Sequence, residues 1–274
     1  MNLDKINKDI TALEKECNGE FSIAVRRLDR EGVFTLRQDR VLPTASVCKL
    51  FVLCELFRQA EAGIIDLNES ITWKPEHQHG GSGVLRAMTP GQQLSIHNMA
   101  VLMIIVSDNV ATDALTDIVG SENITRTIRE WGLSRSDMGK GLFEAERGIG
   151  CSEPVSTARD LCELLTRIYR NEILTPESCS GIIRIMRAQR CNQMLPRYIP
   201  IGEDWGNAPE WIASKSGSGK CRADTGIVHT RECVFSIAVF FKPNERIRPR
   251  FKCQADHPPD LAVAKACRAI YYNM

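Results

Sequence analysis

A surplus of charge is the first thing missing from this chain. Its 274 residues carry 35 lysines and arginines against 34 aspartates and glutamates, a formal net charge of +1. Nothing in that balance forms an electrostatic footprint for nucleic acid or an anionic membrane. Neither partner is expected, and a small-molecule substrate is. A long hydrophobic run is missing too: the most apolar stretch, Met99 to Val106, falls far short of the roughly 20 residues a spanning helix needs. No membrane association is expected. Met1 to Glu20 alternates charges with Leu3, Ile6, Ile10 and Leu13, an amphipathic helix without the apolar core of a secretory signal. A cytoplasmic location is the expectation, the alternative being a leader removed beforehand. Paired-cysteine motifs are the third absence. The 11 cysteines are odd in number and form no C-x-x-C pair, which argues against a disulfide framework and a zinc knuckle. They read as small core side chains in a reducing compartment. Internal repeats, low-complexity tracts and linkers are also absent. With 43% hydrophobic and 25% charged residues, the composition excludes disorder, collagen-like repeats and coiled coils.

Periodicity supplies the elements that are present. Glu20 to Arg27 alternates, and Asp29-Arg30-Glu31-Gly32 forms a turn before Val33 to Leu36, which predicts a strand hairpin. Leu50, Leu53, Cys54 and Phe57 have helical spacing in a helix from Thr44 to about Ala62, with Gly63 where it would stop. A second helical block runs from Ser95 to about Val119, and others lie near 121–131 and 156–170. Between Leu133 and Pro154 a Gly-rich segment with Glu144 and Glu146 reads as a long functional loop. Strands return at Trp211–Lys215, Thr225–His229 and Val234–Phe241, before a closing helix from about Pro259 to Tyr272. This order predicts an α+β protein: one sheet lobe built from both chain ends, 1–43 and 205–274, with a helical lobe inserted over 44–204. The two would meet in a cleft.

Three polar strings fall on these elements. Ser46-Val47-Cys48-Lys49 opens an apolar helix, where a spacing of three puts hydroxyl and amine on one helical face. A serine hydroxyl needs a base, and a lysine serves only if burial or neighbouring cations lower its pKa. The helix N-terminus adds N–H groups where an oxyanion would form. Ser107-Asp108-Asn109 interrupts an apolar run, costly unless its groups are paired or face a cleft. Ser107 could relay a proton and Asn109 could hold a substrate amide. Lys215-Ser216-Gly217-Ser218-Gly219 lies on a strand whose glycines mark a close approach to the backbone. Its cation and hydroxyl suit a substrate carboxylate, and the Ser218 N–H could join that of Ser46 as an oxyanion donor. Singly, each string also fits a blander reading: a surface serine beside a solvated lysine, a helix cap, a hairpin corner. Their order and placement together point to nucleophilic catalysis.

In these residues the chain resembles the class A β-lactamase and penicillin-binding serine acyltransferase family, whose motif set is S-x-x-K, S-D-N and K-T-G. Here the set stands as Ser46/Lys49, Ser107/Asp108/Asn109 and Lys215/Ser216/Gly217, with serine in place of the threonine. Flanking text agrees at Ala62 to Leu67, Gly81 to Leu85 and Asn109 to Thr112, so the likeness covers nearly the whole chain. It implies an antiparallel sheet flanked by helices, an all-helical lobe and a site in the groove between them. Ser46 would attack a strained amide carbonyl and Lys49 would take or shuttle its proton. Ser107, helped by Lys215, would protonate the leaving nitrogen, and Asn109, Ser216, Gly217 and Ser218 would bind substrate. The chain departs from the family's Glu-x-x-Leu-Asn segment, which supplies the carboxylate that activates the deacylating water. It has Leu142-Phe143-Glu144-Ala145-Glu146-Arg147-Gly148 instead, and Glu144, 37 positions after Ser107, is the better candidate, with Glu146 as the alternative.

The expected function is therefore hydrolysis of a β-lactam through an acyl-serine, and with it antibiotic resistance, by a monomer without metal or cofactor. The alternatives are a related amidase, esterase or transacylase acting on an intracellular metabolite, and a penicillin-binding sensor module that acylates once. Other residues carry less. His77-x-His79 lacks further metal ligands. Cys48 beside the proposed base reads as core, Arg222 as a surface arginine or carboxylate anchor, and the Met99, Met103 and Ile104 stripe as core.

Overall fold

A computed structural model describes residues 1–78, 80–139, 153–201, 210–244 and 256–274. Among them the chain forms helices α1 (Leu3–Glu16), α2 (Lys49–Glu61), α3 (Ile96–Ile105), α4 (Asn109–Val119), α5 (Ser121–Glu130), α6 (Ala158–Tyr169), α7 (Pro176–Arg187) and α8 (Pro258–Tyr271). The strands are β1 (Gly19–Arg27), β2 (Val33–Leu36), β3 (Leu42–Pro43), β4 (Ser70–Thr72), β5 (Gln93–Ser95), β6 (Val155–Ser156), β7 (Trp211–Ser218), β8 (Arg222–His229) and β9 (Val234–Pro243). Five of them make one antiparallel sheet in the order β2-β1-β9-β8-β7, and β3-β6 and β4-β5 are small separate pairs. No helix among the described residues is long and apolar enough to cross a membrane.

Strand alternation divides the core. On β1 and β9, Phe21, Ile23, Val25, Phe235, Ile237, Val239 and Phe241 turn to one face, where α1 contributes Ile6 and Ile10 and α8 contributes Ala262, Val263, Ala266 and Ile270. Ala24, Ala238 and Phe240 turn to the other, against α6 and the helices that follow β3. Both faces are covered, so the inner strands read as nearly continuous apolar runs. Removing the Phe21 ring, stacked at a tilt with centroid 4.8 Å from that of Phe241, would cost about 3–5 kcal/mol. The cysteines fill space as expected: Cys48, Cys54, Cys162, Cys179, Cys221, Cys233 and Cys267 are buried and unpaired, while Cys17 and Cys191 are half-buried.

Two sequence expectations need correction, and both corrections bear on the site. The helix expected from Thr44 opens with a 3-10 turn over Ala45–Cys48, and only then becomes α2. The helical block expected from Ser95 to Val119 is two helices, because Ser107 takes a left-handed φ of 53° and stops α3. Asp108 then caps α4, its carboxylate accepting from Ala111 N at 3.1 Å. A further helix, α7, was not foreseen.

Candidate active site

The candidate nucleophile, Ser46, sits half-buried in the 3-10 turn, just after Ala45, whose φ is 46°. Ala45 and Ser107 are non-glycine residues in the left-handed region, which costs each about 1 kcal/mol. Such strain persists only where surrounding contacts hold it. Thr44 supplies one: its N–H and hydroxyl donate to Pro154 O at 3.0 and 3.1 Å, tying the turn to the β3-β6 pair.

Lys49 begins α2 and is fully buried. Its Nζ donates to Ser107 O at 2.7 Å, Asn109 Oδ1 at 2.8 Å and Ser107 Oγ at 3.1 Å. Burial, then the nearby Lys215 cation, push its pKa down to about 7. Lys215, on β7 and also fully buried, donates to Ser107 Oγ at 3.2 Å and to Ser216 O at 2.7 Å, and burial lowers it to about 8. One hydroxyl therefore accepts from two ammonium groups. With both lone pairs engaged, its own O–H is free to donate elsewhere.

Asp108 and Asn109 hold this cluster to the segment before it. Asp108 Oδ2 accepts from Val84 N at 2.6 Å and Leu85 N at 2.9 Å. Asn109 donates from Nδ2 to Gly80 O at 2.7 Å and from its backbone N to Ser82 O at 3.1 Å. Gly83 has a φ of 115°, and a Cβ there would lie 2.4 Å from Asp108 Cγ, so the Gly81-Ser82-Gly83 stretch is a close-fitting cover on the second motif. The third motif abuts the first in the same way. A Cβ on Gly217 would lie 2.5 Å from Thr44 O and 3.1 Å from Val47 N, so β7, an edge strand, comes flush against the turn that carries Ser46. Ser214 O and Ser216 O accept from Gln189 Nε2 at 3.2 Å and Lys215 Nζ at 2.7 Å along that free edge. Alternate residues of an antiparallel strand direct their backbone groups the same way, which puts the N–H of exposed Ser218 on the edge beside the turn.

Lys49, Ser107, Asn109 and Lys215 thus join in one cluster, and Gly217, flanked by Ser216 and Ser218 on β7, lies against the turn that carries Ser46. Glu144 and Glu146 lie outside the described residues. Sequence reasoning gave no role to Asp108 or Gln189. Gln189 Nε2 also donates to Ile104 O at 3.2 Å, and its Oε1 accepts from Arg190 N and Cys191 N, both at 2.9 Å, so it fastens the end of α3 to β7. No local pattern announces it; for Asp108 the helix-cap signal was legible. Of the lesser candidates, Cys48 is a buried thiol pushed up to about 11 by burial, unlike a reactive thiolate. Arg222 is engaged by Asp260 Oδ1 at 2.6 Å and Gly219 O at 2.7 Å. His77 is buried, with Nδ1 accepting from Lys74 N and Nε2 3.1 Å from Asp117 Oδ2; His79 lies outside the described residues. Met99, Met103 and Ile104 are core.

Comparison with known proteins bears on the family and the fold. The family model described as the beta-lactamase enzyme family matches residues 5–274. Among solved structures, a β-lactamase from Sphaerobacter thermophilus superposes with a TM-score of 0.85 at 23% identity, covering 98% of this chain and 97% of that one. PBP-A superposes with a TM-score of 0.83 at 25% identity, covering 98% and 95%. A mutant of PBP-A, solved as an acyl-enzyme complex with penicillin G, gives 0.82 at the same 25% identity over 98% and 95%. A comparison with curated proteins yields no match.

Proposed function

The chain belongs to the beta-lactamase enzyme family, and from that membership we propose that it is a serine hydrolase of class A type that opens a β-lactam through an ester on Ser46. The observation that carries the reading is Ser107 Oγ held by Lys49 Nζ at 3.1 Å and Lys215 Nζ at 3.2 Å, next to the turn that bears Ser46. Neutral Lys49 takes the Ser46 proton as Oγ bonds to the carbonyl carbon. The oxyanion rests on the N–H groups of Ser46 and Ser218. As the intermediate collapses, the carbon–nitrogen bond breaks and the nitrogen receives the Ser107 proton, which the adjacent lysines replace. Asn109 binds the substrate's side-chain amide, and the cation of Lys215 with the Ser216 hydroxyl takes its carboxylate. Glu144, with Glu146 as the alternative, activates the water that frees Ser46.

A second reading is favoured by the likeness to PBP-A, a mutant of which is held as an acyl-enzyme with penicillin G, and by the altered segment around Glu144: acylation with slow release. Intact-protein mass spectrometry with benzylpenicillin tests both. An adduct that maps to Ser46 and is absent from Ser46→Ala is expected. Release within seconds means hydrolytic turnover, and persistence for hours means a penicillin-binding sensor. Failure of any lactam or activated ester to label Ser46 would end the reading.

A further inference from the structure

The end of α3 and the free edge of β7 each present a backbone carbonyl in need of a donor. Because Ser107 takes a left-handed φ of 53°, α3 stops with its last carbonyls short of helical partners, and Ile104 O accepts from Ser107 N only at 3.4 Å. Ser214 O faces the free edge of β7. Buried carbonyls without a donor are costly. Gln189, 6% exposed, directly follows Ala188, the residue that ends α7, a helix packed against both α3 and β7. Its Nε2 donates to Ile104 O and to Ser214 O, each at 3.2 Å.

Both hydrogens of the Gln189 amide are thereby used, and both lone pairs of Oε1 accept from Arg190 N and Cys191 N at 2.9 Å. Arg190 N donates to Ile105 O as well, at 2.9 Å. A buried amide with every bond made is a rigid tie. What it ties matters to the site, since Ser107 stands three residues after Ile104 and Lys215 directly follows Ser214. The two lysines are fastened unequally to the second motif. Lys49 Nζ holds Ser107 O, Ser107 Oγ and Asn109 Oδ1. Lys215 Nζ meets that motif at Ser107 Oγ, 3.2 Å away, while its bond to Ser216 O stays on its own strand. This single contact is backed by the Gln189 amide, which joins the same two elements through their backbones.

We propose that Gln189 is a positioning residue for proton delivery: by tying Ile104 O to Ser214 O it holds Ser107 Oγ within hydrogen-bond reach of Lys215 Nζ, the pair that supplies the leaving nitrogen with its proton. The purpose rests on the lactam-acylation reading; the distance relation stands on its own. A lactam and an activated ester make different demands on that pair. When Ser46 Oγ bonds to a lactam carbonyl carbon, the carbon–nitrogen bond breaks as the nitrogen gains the Ser107 proton, which a lysine replaces. When Ser46 Oγ bonds to the acyl carbon of a p-nitrophenyl ester, the carbon–oxygen bond breaks and p-nitrophenolate departs as an anion, so no proton is delivered. In both reactions Lys49 takes the Ser46 proton. Loosening Ser107 from Lys215 therefore slows the lactam and spares the ester, because Lys49 keeps its own three contacts with the second motif.

Two variants separate the halves of the amide. Gln189→Met removes every hydrogen bond at nearly equal length. Gln189→Glu keeps the acceptor that holds the Arg190 and Cys191 N–H groups and turns an oxygen toward the two carbonyls. Mass spectrometry on quenched time points follows adduct formation at Ser46 with benzylpenicillin and with p-nitrophenyl acetate. In both variants penicillin acylation is expected to fall about 100-fold, the cost of a displacement of about 1 Å, while ester acylation stays within about threefold of wild type. An equal fall for both probes marks a merely structural role and overturns the proposal, as does a Gln189→Glu protein that penicillin acylates at the wild-type rate. Should Gln189→Met fail to fold, Gln189→Glu decides, since it retains the turn. Crystal structures of wild type and Gln189→Glu read the geometry without substrate: the separation of Ser107 Oγ from Lys215 Nζ must open by about 1 Å, and an unchanged separation overturns the proposal. A wild type that penicillin never labels refutes the lactam reading, and the two crystal structures then decide the Gln189 tie by themselves.

Discussion

Replacing Asp108 with alanine tests whether the second motif is held in place from outside the site. The carboxylate is fully buried and accepts from Val84 N, Leu85 N and Ala111 N at 2.6, 2.9 and 3.1 Å. Asp108→Ala leaves those three donors without an acceptor, two of them buried. A buried donor stripped of its partner costs about 1–3 kcal/mol, and loss of a helix N-cap about 1 kcal/mol. Relief from burying a charge offsets part of this, so the net destabilisation expected is about 3–5 kcal/mol. At roughly 2–4 °C per kcal/mol for a chain near this size, the melting temperature should fall by about 10 °C. The residues on either side of it, Ser107 and Asn109, supply every oxygen that Lys49 Nζ touches among the described residues. A displacement there of about 1 Å would cost acylation about 100-fold. Asp108→Asn, which keeps one acceptor oxygen, should fall between alanine and wild type on both scales. The assays are thermal denaturation by circular dichroism and the rate of lactam adduct formation at Ser46. An Asp108→Ala protein that melts within about 2 °C of wild type and acylates at its rate would refute the argument that this carboxylate carries the motif.

Because burial and the Lys215 cation hold Lys49 near 7 against an ordinary value of 10.5, acylation should rise with pH through about 7 as Lys49 becomes neutral. Lys49→Arg, which cannot deprotonate, should remove that limb and slow adduct formation about 100- to 10,000-fold. The same depression has a stability sign: between about 7 and 10.5 the unfolded chain binds the proton that the folded one lacks, so unfolding free energy gains from Lys49 as pH rises. Urea denaturation should show wild type gaining on Lys49→Met across that window, and a constant difference would contradict the assignment. Gly217→Ala puts a Cβ 2.5 Å from Thr44 O, forcing β7 off the Ser46 turn. It should cost about 1–3 kcal/mol and slow acylation by a larger factor than the melting shift implies; unchanged acylation would show that the close approach does not matter.

Much of the fold could be read along the chain where periodicity is local. The β1-β2 hairpin, the core strands β8 and β9 and the closing helix α8 announce themselves because burial imposes a period of two or 3.6 on successive residues. The break between α3 and α4 did not. Met99 to Val106 and the residues after Asn109 carry one continuous helical spacing, and only the left-handed Ser107 with the cap of Asp108 on Ala111 divides them. Helix α7 was hidden by Ser178, Cys179, Ser180 and Gly181, weak helix formers that hold helical form by packing against α2, α3 and β7.

For the site, the sequence by itself determined which side chains were available and in what order, because a hydroxyl, an amine and an amide are chemical facts of the residues at Ser46, Lys49, Ser107, Asn109 and Lys215. Tertiary structure alone decided their state. Burial draws Lys49 and Lys215 toward neutrality, Ser107 accepts from both, and Gln189 enters from a segment that no spacing rule connects to them. Desolvation and electrostatic coupling depend on distance through space, and residues far apart in the chain acquire that distance only when the sheet and helices close on one another.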